Sequence, residues 1–234
     1  MSKDFPRFIT ELTPRFTAVI DAEFSEEDYI AIDLSAENSA LSLVDITSAS
    51  SFGGFINEYL RRSGKKVAYG GYKEIRKLYQ RSGLFSEPGE KDLERNVHIG
   101  MDFWADAGTA VLAALDGKIH SFKDNASFGD YGPTIILEHE YHEHTFYTLY
   151  GHLSRKSLEN LKYGDEVKSG QKIGALGTAE ENGDYAPHLH FQVIEDLQEQ
   201  AGDFPGVTSV NELDFYLRNC PDPNLLLKIR RVEG

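Results

Sequence analysis

Apolar and polar positions change their period near the middle of this 234-residue chain. The change falls at residues 86–94, Ser-Glu-Pro-Gly-Glu-Lys-Asp-Leu-Glu, a polar stretch with a Pro-Gly turn signal. Ahead of it the pattern is mixed. Residues 4–18 have the apolar spacing of an amphipathic helix, weakened by Pro6 and Pro14. Residues 29–34 read as a short strand, and residues 53–64 place Phe55, Ile56, Tyr59 and Leu60 on one helical face. Residues 73–79 contain neither glycine nor proline and predict a second, short helix. After residue 95 short apolar runs alternate with turns. Residues 110–115 and 118–122 flank Asp116-Gly117 and predict a hairpin. Residues 134–140 and 145–150 predict another, with Tyr141-His142-Glu143-His144 at its tip, and residues 188–194 alternate as a strand. This rhythm predicts a mainly β protein, a sandwich or barrel-like fold rather than βαβ units. The expected organisation is a mixed α/β region over residues 1–90, accessory or groove-covering, and a main domain over 91–234 with a carboxy-terminal extension.

Composition narrows the classes. A chain of this length can build a core without disulfides, and the single cysteine, Cys220, permits neither an intramolecular bridge nor a cysteine-rich structural metal site. A net charge of −14 argues against nucleic acid as a partner. No window approaches the roughly 18 consecutive apolar residues of a membrane span. The amino terminus, Met-Ser-Lys-Asp-Phe-Pro-Arg-Phe, lacks the apolar region of an export signal, so a cytoplasmic location is expected, with a processed exported form as the alternative.

Three segments carry candidate chemistry. In His98-Ile99-Gly100-Met101-Asp102, an extended strand would set His98 and Asp102 on one face, facing one metal. Tyr150-Gly151-His152-Leu153-Ser154 closes a predicted strand. In Pro187-His188-Leu189-His190-Phe191, the two histidines share a strand face. Together they offer more nitrogen and oxygen donors than one site needs. A catalytic zinc site takes three protein ligands and keeps the fourth position open, and imidazole with carboxylate suits zinc better than magnesium or calcium.

These segments together resemble the signature of the lysostaphin/LytM-type zinc metallopeptidases. Ala107-Gly108-Thr109, Asp116-Gly117 and the glycine-rich run over residues 164–174 are also similar to that family, and the resemblance covers about residues 95–195. It implies an antiparallel β sandwich with a groove, of the LytM/duplicated-hybrid-motif type. It implies zinc held by His98, Asp102 and His190, with His152 and His188 as non-ligand catalytic histidines, one the base and the other the acid. The implied activity is a zinc-dependent endopeptidase acting on a peptide or peptidoglycan-like substrate. Tyr72, Phe128-Gly129-Asp130-Tyr131-Gly132, Gly202-Asp203-Phe204-Pro205-Gly206 and Cys220-Pro221-Asp222-Pro223-Asn224 resemble a subgroup found beside class III aminotransferase modules. One position departs: secreted relatives often carry an aromatic residue six places before the first ligand, where this chain has Asp92. The competing class is a non-cleaving regulatory or binding module on the same fold, and a third is a zinc hydrolase of small amides. Retention of all five site residues favours an enzyme.

Elsewhere, His139, His142 and His144 cluster near the predicted hairpin tip, where a solvated turn is favoured over a second metal site. His120 reads as structural, and Trp104 as either a groove wall or a core residue.

Overall fold

The computed structural model describes residues 4–85 and 94–230. The predicted division at 86–94 and the departure at Asp92 fall on residues outside those described, residue 94 excepted. Strands are numbered along the chain. The principal sheet has eight strands in the order β1 (Tyr29–Ala31), β2 (Val67–Gly70), β5 (Met101–Trp104), β12 (His188–Ile194), β9 (His144–Gly151), β8 (Gly132–Tyr141), β7 (Gly117–Asn125) and β10 (Glu166–Val167). Every pairing is antiparallel except β1 with β2. A three-stranded sheet runs β13 (Val207–Thr208), β4 (Val97–His98), β3 (Glu74–Ile75), and β11 (Lys172–Ala175) pairs with β6 (Ala110–Leu112). The protein is mainly β, with few helices.

β12 explains where the site lies. All seven of its residues are buried, as a central strand covered on both faces must be. Leu189, Phe191 and Val193 enter the main core with Phe103, Tyr150 and Ile135. The alternate residues, His188, His190 and Gln192, therefore project from the opposite face.

Two expectations are corrected. Residues 110–122 do not form a hairpin, because β6 pairs with β11 and β7 with β8 and β10. The Asp116-Gly117 turn redirects the chain between two sheets. Residues 73–79 are not helical: Lys73 has φ +61°, and Glu74–Ile75 pairs with Val97–His98 before a 3₁₀ turn over Leu78–Arg81. Other elements keep their place with shifted ends. Helix α1 spans Phe5–Leu12, stopping before Pro14, whose ring disfavours a preceding helical residue. Helix α2 spans Ala49–Ser63, starting earlier than the apolar pattern because Ser48 accepts a hydrogen bond from the Ser51 amide, and ending at Gly64 in the left-handed region. β8 and β9 form the second predicted hairpin, with Tyr141 opposite His144.

Residues 4–85 share their packing with the rest. Phe5 and Ile9 of α1 lie in the main core, and Phe5 meets Phe146 edge-on. Phe52, Ile56 and Leu60 of α2 pack with Trp104 and Ala186. No helix among the described residues is long and apolar enough to cross a membrane.

Candidate metal centre

A straight strand would not bring His98 and Asp102 together. Residues four apart in an extended chain are separated by about 13 Å, too far to share one ion. The chain instead leaves β4 after His98, bends at Ile99-Gly100 and enters β5, so the two residues sit in different sheets. That bend replaces the single-strand geometry expected from the sequence. Gly100 permits it: a Cβ there would lie 2.4 Å from Cε1 of His190 and 2.9 Å from the Phe191 carbonyl oxygen. Register supplies the rest, setting His190 opposite Asp102 on one side and opposite Gly151 on the other.

The result is a buried triangle of donor atoms. His98 Nε2 lies 2.8 Å from His190 Nδ1, and Asp102 Oδ1 lies 3.2 Å from each. A tetrahedral divalent ion with bonds of about 2.0–2.1 Å spaces its donors by about 3.3 Å, so these residues fit such an ion with little adjustment. They form the one group among the described residues with this capacity. The partners behind them fix the tautomers. His98 Nδ1 donates to the Gly71 carbonyl at 3.0 Å, and His190 Nε2 to Gln192 Oε1 at 2.9 Å. Gln192 is itself oriented by donating Nε2 to the Pro205 carbonyl and to Cys220 Sγ. Each imidazole therefore turns a lone pair toward the centre. Replacing Gly100 by alanine is expected to push His190 out of line and lower metal affinity on the order of tenfold or more; competition with a chelator measures this, and unchanged affinity would contradict the close approach.

Arg76 holds the third member of the triangle. Its Nη1 donates to Asp102 Oδ2 and its Nε to Glu74 Oε2, both at 2.5 Å, and it is 3 % exposed. Burial pushes the Asp102 carboxyl upward, but the Arg76 guanidinium beside it, donating to Oδ2, holds it well below its usual range. It is thus an anion that could bind a cation.

His152 and His188 stand apart from the triangle and close to each other, with ring centroids 4.1 Å apart. His152 takes φ +62° as the chain leaves β9, where a Cβ on Gly151 would meet the Tyr131 ring at 2.7 Å. This left-handed turn, uncommon for a side-chain-bearing residue, aims the imidazole into the cleft. His152 Nδ1 donates to the Asn182 carbonyl and His188 Nδ1 to the Ala186 carbonyl, leaving each Nε2 as a proton acceptor. Trp104, 2 % exposed, stacks on His188 at 5.7 Å and lines the cleft while packing with α2, so it serves as both wall and core.

Burial, above all, lowers His98, His139 and His188 from the usual 6.5 to about 4, and pushes His152 well below its usual value. Unfolded, each takes up a proton near pH 6.5. The unfolded chain then binds more protons than the folded one, so stability present above about 6.5 is lost as pH falls toward 4. Metal-stripped protein should show a urea midpoint that drops steadily across that window; a flat midpoint would mean these imidazoles are not held neutral.

All five residues border one cavity of about 210 Å³, walled also by Tyr131, Tyr185, Phe204 and Trp104. The remaining sequence candidates lie elsewhere. His139 is buried between the Asp116 carbonyl and the Thr148 hydroxyl. His142 is exposed, and His144 stacks on Phe8. His120 is half-buried in β7, beside Tyr147. The segments around Tyr131 and Gly206 line the cavity, and Tyr72 donates to the Cys220 carbonyl. Sequence reasoning passed over Gln192, although the two-residue period from His190 places it on the same face. It also passed over Arg76, which carries no local signal.

The mainly antiparallel β fold thus holds a histidine–aspartate–histidine triangle that could hold a metal ion, with two further histidines on the same cleft. Residues 96–202 match the family model "Peptidase family M23". It is 37 % identical over 98 residues to peptidoglycan DD-endopeptidase ShyC of Vibrio cholerae, covering 42 % of this chain and 20 % of that protein. It is 39 % identical over 95 residues to glycyl-glycine endopeptidase ALE-1 of Staphylococcus capitis, covering 41 % and 24 %. Among solved structures, the catalytic domain of lysostaphin from Staphylococcus simulans shares 32 % identity, covering 52 % of this chain and 80 % of that one at a TM-score of 0.36. The chain spans about a fifth to a quarter of the length of those two curated relatives.

Proposed function

We propose that this protein is a zinc-dependent metallopeptidase that hydrolyses a peptide or amide bond in a peptide or peptidoglycan-type substrate. The observation that carries the reading is the donor triangle with edges of 2.8, 3.2 and 3.2 Å, facing a cleft that holds two histidines outside it. His98, Asp102 and His190 would hold the ion. When bound, zinc supplies Lewis acidity at the scissile carbonyl and toward the attacking water.

The chain's own residues do the proton work. One of His152 and His188 receives the water proton at its free Nε2, and that proton passes to the leaving amine from the same ring or through the other, 4.1 Å away between centroids. Histidine suits this exchange because its ordinary pKa lies near neutrality. The carbonyls of Asn182 and Ala186 fix both rings by accepting from Nδ1. Tyr131, Tyr185 and Trp104 exclude bulk water around them.

The test is to load purified protein with zinc and assay intact sacculi, soluble peptides and small amides in parallel. Metal-dependent cleavage of at least one substrate is expected. Stoichiometric zinc without hydrolysis of any would turn the reading to a non-cleaving binding module.

A further inference from the structure

A second cavity, of about 130 Å³, adjoins the metal-bearing cleft. Phe52, Arg76 and Leu78 wall both spaces, so the two are neighbours across a partition of three side chains. Arg76 spans that partition: its Nη1 holds the Asp102 carboxylate, and the same side chain lines the second cavity. The length of one arginine side chain, from Asp102 to the cavity wall, is a span that one or two residues of extended peptide can cover.

Its chemistry is apolar at depth. Leu34, Leu41, Ile46 and Phe52 contribute the interior, while Glu37, Lys77 and the Arg76 guanidinium add charged groups to the lining. Ser42 Oγ donates to the Ser39 carbonyl, Asn38 Oδ1 accepts from the Ala40 amide, and Asn38 Nδ2 donates to the Asp33 carbonyl. An apolar cavity of about 150 Å³ accommodates a benzene-sized guest, so this one suits a side chain of leucine or phenylalanine size.

Resting on the peptidase reading, we infer that this cavity is a specificity subsite. It takes a large apolar side chain of the substrate, one or two residues from the scissile bond. The residues that build it, 34–46 with Phe52 and 76–78, all precede the span matched by the family model. The amino-terminal region would then select the substrate. A substrate of glycines alone leaves the subsite empty.

The test pairs cleavage with binding. Peptides identical except for glycine, leucine or phenylalanine at each position flanking the scissile bond should differ in kcat/KM about tenfold or more in favour of the large residue at one position. Ser42 is exposed, so Ser42→Trp can plug the mouth without disturbing the core. It should raise KM for the leucine peptide and leave the glycine peptide unchanged, whereas Ser42→Ala should keep the wild-type preference. Independently of cleavage, N-acetylphenylalaninamide should shift the methyl resonances of Leu41 and Ile46 in zinc-loaded protein, and N-acetylglycinamide should not. Equal cleavage of all peptides, equal loss on both in Ser42→Trp, or unmoved methyls would overturn the subsite. Shifted methyls without any cleavage would sustain the subsite and sink the peptidase reading instead.

Discussion

Alanine at His98, Asp102 or His190 is expected to strip the metal at micromolar chelator and to abolish hydrolysis. Each substitution leaves two donors of a three-donor set whose atoms lie within 3.2 Å of one another. Asp102→Ala has an added consequence, because Asp102 also faces the buried guanidinium of Arg76. Removing one member of a buried ion pair costs about 3–5 kcal/mol, and Glu74 remains as the partial counter-charge. Asp102→Ala should therefore lose both metal and stability, while His98→Ala and His190→Ala lose mainly metal. Elemental analysis after dialysis, beside urea unfolding, separates the two effects. Full occupancy in all three variants would refute the ligand assignment.

Alanine at His152 or His188 should behave in the opposite way, retaining the metal while turnover falls on the order of a hundredfold or more. The distinction rests on where their nitrogens point. Both rings spend Nδ1–H on backbone carbonyls, and neither belongs to the donor triangle. What they offer the cleft is an uncharged Nε2, kept so chiefly by burial. Metal content and single-turnover rates on the same preparations check this. Loss of metal in either variant, or wild-type turnover in both, would count against an acid–base role.

Local order was legible in the sequence where partners lie close along the chain. The β8–β9 hairpin has its turn written into residues 141–144, and β12 shows its two-residue alternation from His188 to Ile194. Long-range pairing was not. Asp116-Gly117 carries a hairpin turn's composition, yet β6 finds its partner some sixty residues on, in Lys172–Ala175. The same holds within the site. His98, Asp102 and His190 announce themselves by residue type and spacing, but the bend at Gly100 that lets the first two converge follows from the crowding of His190 against the backbone. Arg76 lies in a stretch that reads as helix, and its partner Asp102 is 26 positions away. Its role appears only once β3 pairs with β4.

The placement of β2 beside β5 bears on how the protein can be cut down for study. β5 carries Asp102 and is flanked by β2 on one side and β12 on the other. A fragment restricted to residues 96–202, the span of the family match, would lose β2. That would turn Met101–Trp104 into an open sheet edge whose four side chains are now all buried. Unpaired, apolar edges invite strand addition from a second molecule. Such a fragment is expected to self-associate, with Asp102 on the strand that seeds the aggregate.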